Sequence, residues 1–114
     1  MTVVTTACPV GSIVGAGDSV GPTVATKDAV VAVTGTMTAG TLVVEYQFPG
    51  DSTNWYPCDN ITVAKLQQVN ANNGTDYGYA TELSIPGGGI ARVRADTNFV
   101  GSITAYLRAV NPGA

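Results

Sequence analysis

The residue types that most often carry catalysis or bind metal ions are scarce in this chain. It has no histidine, which removes the commonest general base and the commonest neutral metal ligand. Its two cysteines, Cys8 and Cys58, lie far apart in the sequence and lack the spacing of a zinc site. The sequence therefore predicts no enzymatic activity, no metal site and no cofactor.

The other residues that could form a binding site, aspartates and glycines, are assigned to turns and linkers. Four aspartates fall in turn-like sequence, where a carboxylate commonly accepts hydrogen bonds from nearby backbone, and we interpret them as structural rather than as calcium ligands: Asp51, Asp59, Asp76 and Asp96. Four early glycines match neither a dinucleotide-binding nor a phosphate-loop spacing, and we interpret them as linker residues: Gly11, Gly15, Gly17 and Gly21.

Aromatic residues allow one binding function. Rings on the surface of a β-sandwich can stack on sugar rings, and the candidates are Trp55, Tyr56, Tyr77 and Tyr79. However, a single tryptophan beside a turn in a sandwich usually fills the core, with its N–H bonded to one partner. We therefore favour the core interpretation of Trp55 and keep carbohydrate binding as the alternative.

Composition indicates one domain that interacts with protein. A chain of 114 residues can fold alone, and its richness in Val, Thr, Ala and Gly favours strands over helices. Only 11% of residues are charged and the net charge is -3, so a basic surface for nucleic acid is excluded. A surface so poor in charge is suited to packing against other protein, which suggests assembly into an oligomer.

The N-terminus shows no targeting signal. It has neither a basic lead nor an apolar core of signal-peptide length, and no later run approaches the roughly 20 apolar residues of a membrane span. We expect a protein made in the cytoplasm, with no membrane partner, in which Cys8 and Cys58 are both free.

Two stretches with a period of two predict β-hairpins. In residues 29–48, alternating apolar and Thr-rich positions form two arms that meet at Ala39 and Gly40. A second hairpin is predicted from residues 77–85 to residues 90–96, with the turn at residues 86–89. Closing it would place Glu82 beside Arg92 or Arg94 on the outer face.

Further strands complete a sandwich. A strand is predicted at residues 102–110, another at residues 61–69, and an edge or bend strand near Pro57, which cannot donate a backbone hydrogen bond. Together these predict an all-β, antiparallel β-sandwich of immunoglobulin-like or jelly-roll kind. We expect its core to include Val31, Val33, Val44, Tyr46, Trp55, Leu83, Val93, Ile103 and Leu107.

The first part of the chain predicts an attachment segment. Residues 1–22 are interrupted by glycine and proline and resemble an extended N-terminal arm, ahead of a sandwich domain at residues 23–114. We expect the arm to contact a partner or a neighbouring subunit rather than complete its own core, through Val3, Val4, Val10, Ile13 and Val14.

An ordered set of short motifs resembles a known class of proteins. The motifs are Val31-x-Val33-x-Gly35-Thr36, Gly40-Thr41-Leu42-x-Val44-Glu45-Tyr46, Gly50-Asp51-Ser52-Thr53-Asn54-Trp55 and Ala91-Arg92-Val93-Arg94. In this order they resemble small structural proteins of tailed bacteriophages, over residues 29–110. The resemblance implies a virion protein, most often a capsid decoration (cement) protein that binds the major capsid protein, although other members belong to the neck, tail or fibres.

Two functions follow for further testing. The first is a homo-oligomeric decoration protein on the capsid surface of a virion. The alternative is a receptor- or carbohydrate-binding β-sandwich of a phage tail or fibre.

Overall fold

The described chain is almost entirely extended. A computed structural model describes residues 5–7, 10–24, 28–48, 50–67, 77–84 and 89–111. Within these residues the elements are β1 Thr5–Ala7, β2 Val10–Ile13, β3 Ser19–Val24, β4 Asp28–Ala39, β5 Thr41–Gln47, β6 Tyr56–Thr62, α1 Val63–Leu66, β7 Tyr77–Ser84, β8 Ile90–Ala95 and β9 Val100–Asn111.

The strands form two antiparallel sheets packed face to face. In sheet A the strand order is β1-β9-β4-β7. β2 also pairs with β9, on the same side as β1 but with an earlier part of β9. In sheet B the order is β3-β8-β5-β6. The predicted all-β, antiparallel sandwich is confirmed.

The connections between strands define the topology. From β2 onward each strand lies in the opposite sheet from the strand before it, except that β5 and β6 are neighbours in sheet B. This is the strand order of a jelly roll, and it decides between the two sandwich topologies that the sequence left open.

Both hairpins predicted from the sequence are wrong, because each pair of arms is divided between the sheets. β4 pairs with β7 and β9, whereas β5 pairs with β6 and β8. Gly40 makes the corner between them with a φ of +85°, and a Cβ there would overlap the backbone of Phe99. The chain can turn from sheet A to sheet B at this point because glycine tolerates both the positive φ and the close approach.

The second correction concerns Glu82. It lies on β7 in sheet A, opposite Val30, while the two arginines lie on β8 in sheet B. Glu82 is therefore not beside Arg92 or Arg94, and the predicted ion pair is wrong.

The core lies between the sheets and follows the alternation of each strand. The buried apolar side chains are Ile13, Val20, Val31, Val33, Met37, Leu42, Val44, Ile61, Leu66, Ala91, Val93, Ala95, Phe99, Ile103, Ala105 and Leu107. Tyr46 is partly buried and packs against this cluster. Trp55 is half-buried outside the core, over Arg92, so its predicted core position is wrong. The side chain of Leu83 lies outside the described residues.

The structure also corrects the prediction for the early part of the chain. β2 pairs with β9 and β3 pairs with β8 of the same subunit, and both Ile13 and Val20 are buried in the core. The turn between β2 and β3 is closed by Asp18, whose Oδ2 accepts hydrogen bonds from the amides of Val14 and Gly15. The expectation that residues 1–22 stay outside their own core is wrong for residues 10–22, because their strands complete both sheets.

The edge strand β6 behaves as its proline predicts. Pro57 lies opposite Glu45 at a register shift in β6, which is an edge strand of sheet B. The strand predicted for residues 61–69 is confirmed only to Thr62, whose hydroxyl accepts a hydrogen bond from the amide of Lys65 and caps α1. Residues 63–66 are helical, which corrects the strand prediction there, and residues 68 and 69 lie outside the described part of the chain.

Candidate functional site

Two surfaces of the sandwich differ from ordinary polar exterior. One is the outer face of sheet A, which we call the β9 face. The other is a group of rings at the end of β5 and the start of β6, Tyr46, Phe48 and Tyr56, which we call the aromatic cluster.

The β9 face is built from side chains that alternate with the core. Its central row crosses four strands in register and consists of Val10, Tyr106, Ala32 and Ala80. The adjacent row on one side consists of Ser12, Thr104, Thr34 and Gly78. The adjacent row on the other side consists of Arg108, Val30 and Glu82. Arg108 and Glu82 are the only charged residues in these three described rows. They lie on opposite sides of β4.

A depression lies in the middle of the β9 face. It has a volume of about 420 Å³ and is lined by Ala32, Val33, Thr34, Gly78, Tyr79, Ala80 and Tyr106. The space exists because small residues of β4 and β7 line it, Ala32, Thr34, Gly78 and Ala80, whereas β9 carries the large ring of Tyr106. Tyr106 is 46% exposed and forms one wall of the depression.

Exposed valines extend the apolar character of this face. Val10 is 58% exposed beside Tyr106, and Val100, at the start of β9, is equally exposed. Val14, directly after β2, is 62% exposed.

The aromatic cluster joins three rings on sheet B. The centroids of Tyr46 and Phe48 are 5.0 Å apart with an interplanar angle of 70°, and those of Phe48 and Tyr56 are 5.4 Å apart at 69°. Edge-to-face contacts of this kind stabilise the pairs beyond their buried area. Phe48 and Tyr56 are nevertheless 42% and 39% exposed, so the cluster presents a fixed apolar surface to solvent.

Next to these rings, the outer face of sheet B holds a charged group with its interactions completed. The Glu45 carboxylate is only 4% exposed and accepts hydrogen bonds from Arg92 Nε at 2.7 Å and Arg94 Nε at 2.9 Å. Trp55 lies over the Arg92 guanidinium, with 3.9 Å between Cζ and the ring centroid. Burial raises the pKa of Glu45, but the hydrogen bonds from Arg94 and Arg92 lower it by more, so its pKa lies below the ordinary value.

A second charged group links the edges of the two sheets. Asp59 on β6 accepts hydrogen bonds from Lys65 Nζ and from the Tyr79 hydroxyl of β7, the latter at 3.1 Å. Burial raises the pKa of Asp59, while its bonds to Lys65 and Tyr79 lower it by more, so its pKa is below the usual range. This group closes the side of the sandwich where β6 and β7 face each other.

The partner-binding residues and cysteines predicted from the sequence lie in different parts of the structure. Val10 and Val14 are exposed, Ile13 is in the core, and Val3 and Val4 lie outside the described residues. Cys58 is free and exposed, and burial together with the charges of Asp59 and Glu45 raises the pKa of its thiol; Cys8 is outside the described part.

Two further findings concern metal binding and membrane-spanning helices. In the described part of the chain, no three His, Cys, Asp or Glu side chains come together as metal ligands would. No helix among the described residues is both long and apolar enough to span a membrane.

The depression on the β9 face was missed by the sequence reasoning. Alternation along each strand places Tyr106, Ala32 and Ala80 outward. What the sequence did not reveal is that β4 lies between β9 and β7, and only this pairing brings the three residues into one row.

Comparison of the chain with protein-family models, with curated proteins and with solved structures finds no match. The function is therefore argued from the sequence motifs and from the surfaces described above.

Proposed function

We propose that this protein is a structural component of a tailed-bacteriophage virion, a decoration protein that binds the major capsid protein at the capsid surface and assembles with copies of itself. It would be made in the host cytoplasm and act without catalysis. The observation that carries the proposal is the presence of two separate exposed apolar surfaces, the β9 face and the aromatic cluster, on one small sandwich.

The two surfaces suit a protein that is covered from more than one side. Large hydrophobic side chains exposed together, rather than singly, are typical of sites that contact other protein. Aromatic residues are enriched at the centres of such contacts, where their rings bury much area with little loss of side-chain entropy. A decoration protein needs one surface for the shell and another for neighbouring copies, and this sandwich offers one on each sheet.

The ordered motifs of residues 29–110 support the same proposal. The V-x-G-T segment lies on β4, the G-T-L segment opens β5, the G-D-S-T-N-W turn precedes β6, and the V-R segment is β8. A jelly roll also occurs in viral capsid proteins, although the fold by itself serves many functions.

Carbohydrate or receptor binding is the second candidate, and the exposed rings of Phe48 and Tyr56 favour it. Sugar stacking uses the open face of an aromatic ring. In the cluster the Tyr46–Phe48 and Phe48–Tyr56 pairs are steeply inclined, and one face of Trp55 is covered by Arg92. These orientations suit a compact apolar contact with protein better than stacking on a sugar ring, which needs a flat, open ring face. We therefore place carbohydrate or receptor binding second.

The direct test is the protein content of purified virions of the phage that encodes the chain. A decoration protein is expected at a copy number comparable with that of the major capsid protein, as measured by quantitative mass spectrometry. Absence of the chain from particles, or a few copies only, as for a fibre, would overturn the proposal.

A binding measurement tests the surface. Purified protein is added to particles lacking it, and the variants Phe48→Ser and Tyr56→Ser are expected to weaken binding about tenfold or more, because truncating a central aromatic residue commonly costs over about 1.4 kcal/mol. Ala64→Ser, at an exposed position of α1 outside both surfaces, is the control and should bind as the unmodified protein does.

A further inference from the structure

We infer that the β9 face is the interface of a symmetric homodimer in which Tyr106 of each copy enters the depression of the other. The occupant of this face is thus a second copy of the chain. The inference deepens the proposed function, on whose self-assembly it rests, by naming the surface, the symmetry and the contacts.

The shape of the face is complementary to itself. Tyr106 projects from β9, while two strands away β7 presents Ala80 and Gly78, and the depression lies over them. Packed sheets lie about 10 Å apart, a distance filled well when a large side chain of one sheet stands opposite a small one of the other. Tyr106 opposite Ala80 satisfies this condition, and no partner of different shape is needed.

One two-fold axis brings these groups together. β4 lies between β9 and β7 in sheet A. A half-turn about an axis that runs along β4 in the plane of contact keeps positions along the strands and exchanges β9 with β7. It therefore places Tyr106 of one copy over Ala80 of the other, twice in each dimer, while Ala32 meets its own equivalent on the axis. Such self-matching contacts define an isologous interface, the commonest kind in soluble oligomers.

The two charged residues of these three rows fit the same axis. Arg108 is on β9 and Glu82 on β7, in one row, with Val30 of β4 between them. Within a subunit they are thus two strand spacings apart, roughly 10 Å. The half-turn that seats Tyr106 brings Arg108 opposite Glu82 of the other copy, and this pairing of opposite charges fixes the register of the dimer.

The area available is near the lower end of that of a stable dimer. β4 and β9 are each 12 residues long, β7 has 8 residues, and β1 and β2 along the other edge have 3 and 4. Strands of these lengths present a face of roughly 600 Å². Standard interfaces bury about 600 to 1,000 Å² on each partner, so the dimer requires most of this face to be covered.

The experiment measures self-association of the purified full chain by sedimentation equilibrium between about 1 μM and 1 mM. The unmodified protein is expected to dimerise within this range. Tyr106→Ala removes the projecting ring and Ala80→Arg fills the depression, so each should weaken dimerisation at least tenfold. Asn60→Arg, which adds the same charge at an exposed position of the edge strand of sheet B, is the matched control and should dimerise normally. Thermal melting of each variant checks that it is folded.

Charge reversal provides a test that a general loss of solubility or stability cannot imitate. Arg108→Glu and Glu82→Arg alone each place like charges together and should weaken the dimer about tenfold, whereas the double variant should recover the original affinity. A protein monomeric throughout the range would overturn the inference, as would a dimer indifferent to Ala80→Arg or a double variant without recovery. None of these measurements uses virions. A monomeric protein would overturn the dimer but not the copy-number test of the proposed function, and absence from virions would overturn the proposed function but not the dimer.

Discussion

The outer faces of the two sheets are built in opposite ways. On sheet B, Glu45 is nearly inaccessible to solvent and is bonded to two arginines, one of them covered by Trp55. On sheet A, the three rows of the β9 face consist mainly of Ala, Gly, Ser, Thr and Val, with Tyr106 beside a depression. The charged groups around Glu45 find their partners inside the subunit, whereas Val10 and Tyr106 of the β9 face are exposed.

The contrast predicts that the charged group of sheet B contributes to stability and that the β9 face contributes to association. A buried carboxylate whose partners are removed is costly, so the Glu45 group should contribute to folding. Exposed apolar side chains contribute little to folding of the single subunit, and their burial against a second molecule can drive association. Substitutions on each face should separate these roles when stability is measured below about 1 μM, under the concentration range in which dimerisation is tested.

The largest effect is expected from the inner side of β9. Leu107→Ala should lower the free energy of unfolding by about 2 to 5 kcal/mol, because Leu107 is fully buried and its truncation leaves a cavity. Its neighbour on the outer side is the control: Tyr106→Ala should change stability by less than about 1 kcal/mol. Urea denaturation measures both, and equal losses would contradict the assignment of Tyr106 to association rather than folding.

A second prediction concerns the corner that separates the two sheets. Gly40→Ala should destabilise the protein by about 2 to 4 kcal/mol, since the added Cβ meets the backbone of Phe99 at a positive φ. Gly50 has nearly the same φ, but a Cβ added there would have nothing within 4 Å, so Gly50→Ala should cost only about 1 kcal/mol. If the two variants melt alike, close packing at the corner is not what requires glycine.

The charged group on sheet B should give a smaller effect. Glu45→Gln should lower the free energy of unfolding by about 1 to 3 kcal/mol, because Arg92 and Arg94 lose the carboxylate that accepts their hydrogen bonds. Glu82→Gln removes a carboxylate from the exposed β9 face and should stay within about 0.5 kcal/mol. Chemical denaturation compares the two, and the difference between the faces disappears if Glu82→Gln costs as much.

The smallest effect is a dependence of stability on pH. The pKa values of Glu45 and Asp59 are lowered in the folded protein, so at acidic pH the unfolded state binds more protons than the folded state. Their contribution is complete above the ordinary carboxyl pKa of about 4 and is lost as the pH falls through the lowered folded values. Denaturation midpoints at pH 7, 4 and 3 should therefore decrease, and Glu45→Gln should flatten this decrease, as should Asp59→Asn. A variant with an unchanged pH profile would show that its carboxylate is not the group responsible.

Much of the fold could be predicted from alternation alone. Ile103 and Leu107 of β9 were assigned correctly to the core, and the outward positions of Arg92 and Arg94 on β8 were also correct. A period of two fixes which side chains share a face, because successive residues of a strand point in opposite directions. Pro57 similarly placed β6 at an edge, since it lacks a backbone donor.

The errors over the two hairpins and over Glu82 have one physical origin. Alternation says which way a side chain points but not which sheet its strand joins, and a corner glycine such as Gly40 resembles a hairpin turn in the sequence. Glu82, which the predicted hairpin aligns with these arginines, was therefore placed beside Arg92 or Arg94, whereas both pair with Glu45 from a strand far earlier in the chain.

Residue types and their alternation were enough to predict that the chain forms strands, which residues face the core in several of them, and that charge is scarce on the surface. The tertiary structure alone decided that the strands follow a jelly-roll order, that residues 10–22 complete both sheets, and that Tyr106, Ala32 and Ala80 form one row. The physical reason is that strand pairing depends on backbone hydrogen bonds between distant segments, which any sequence of suitable alternation can form, so the choice among partners is made by packing of the whole core.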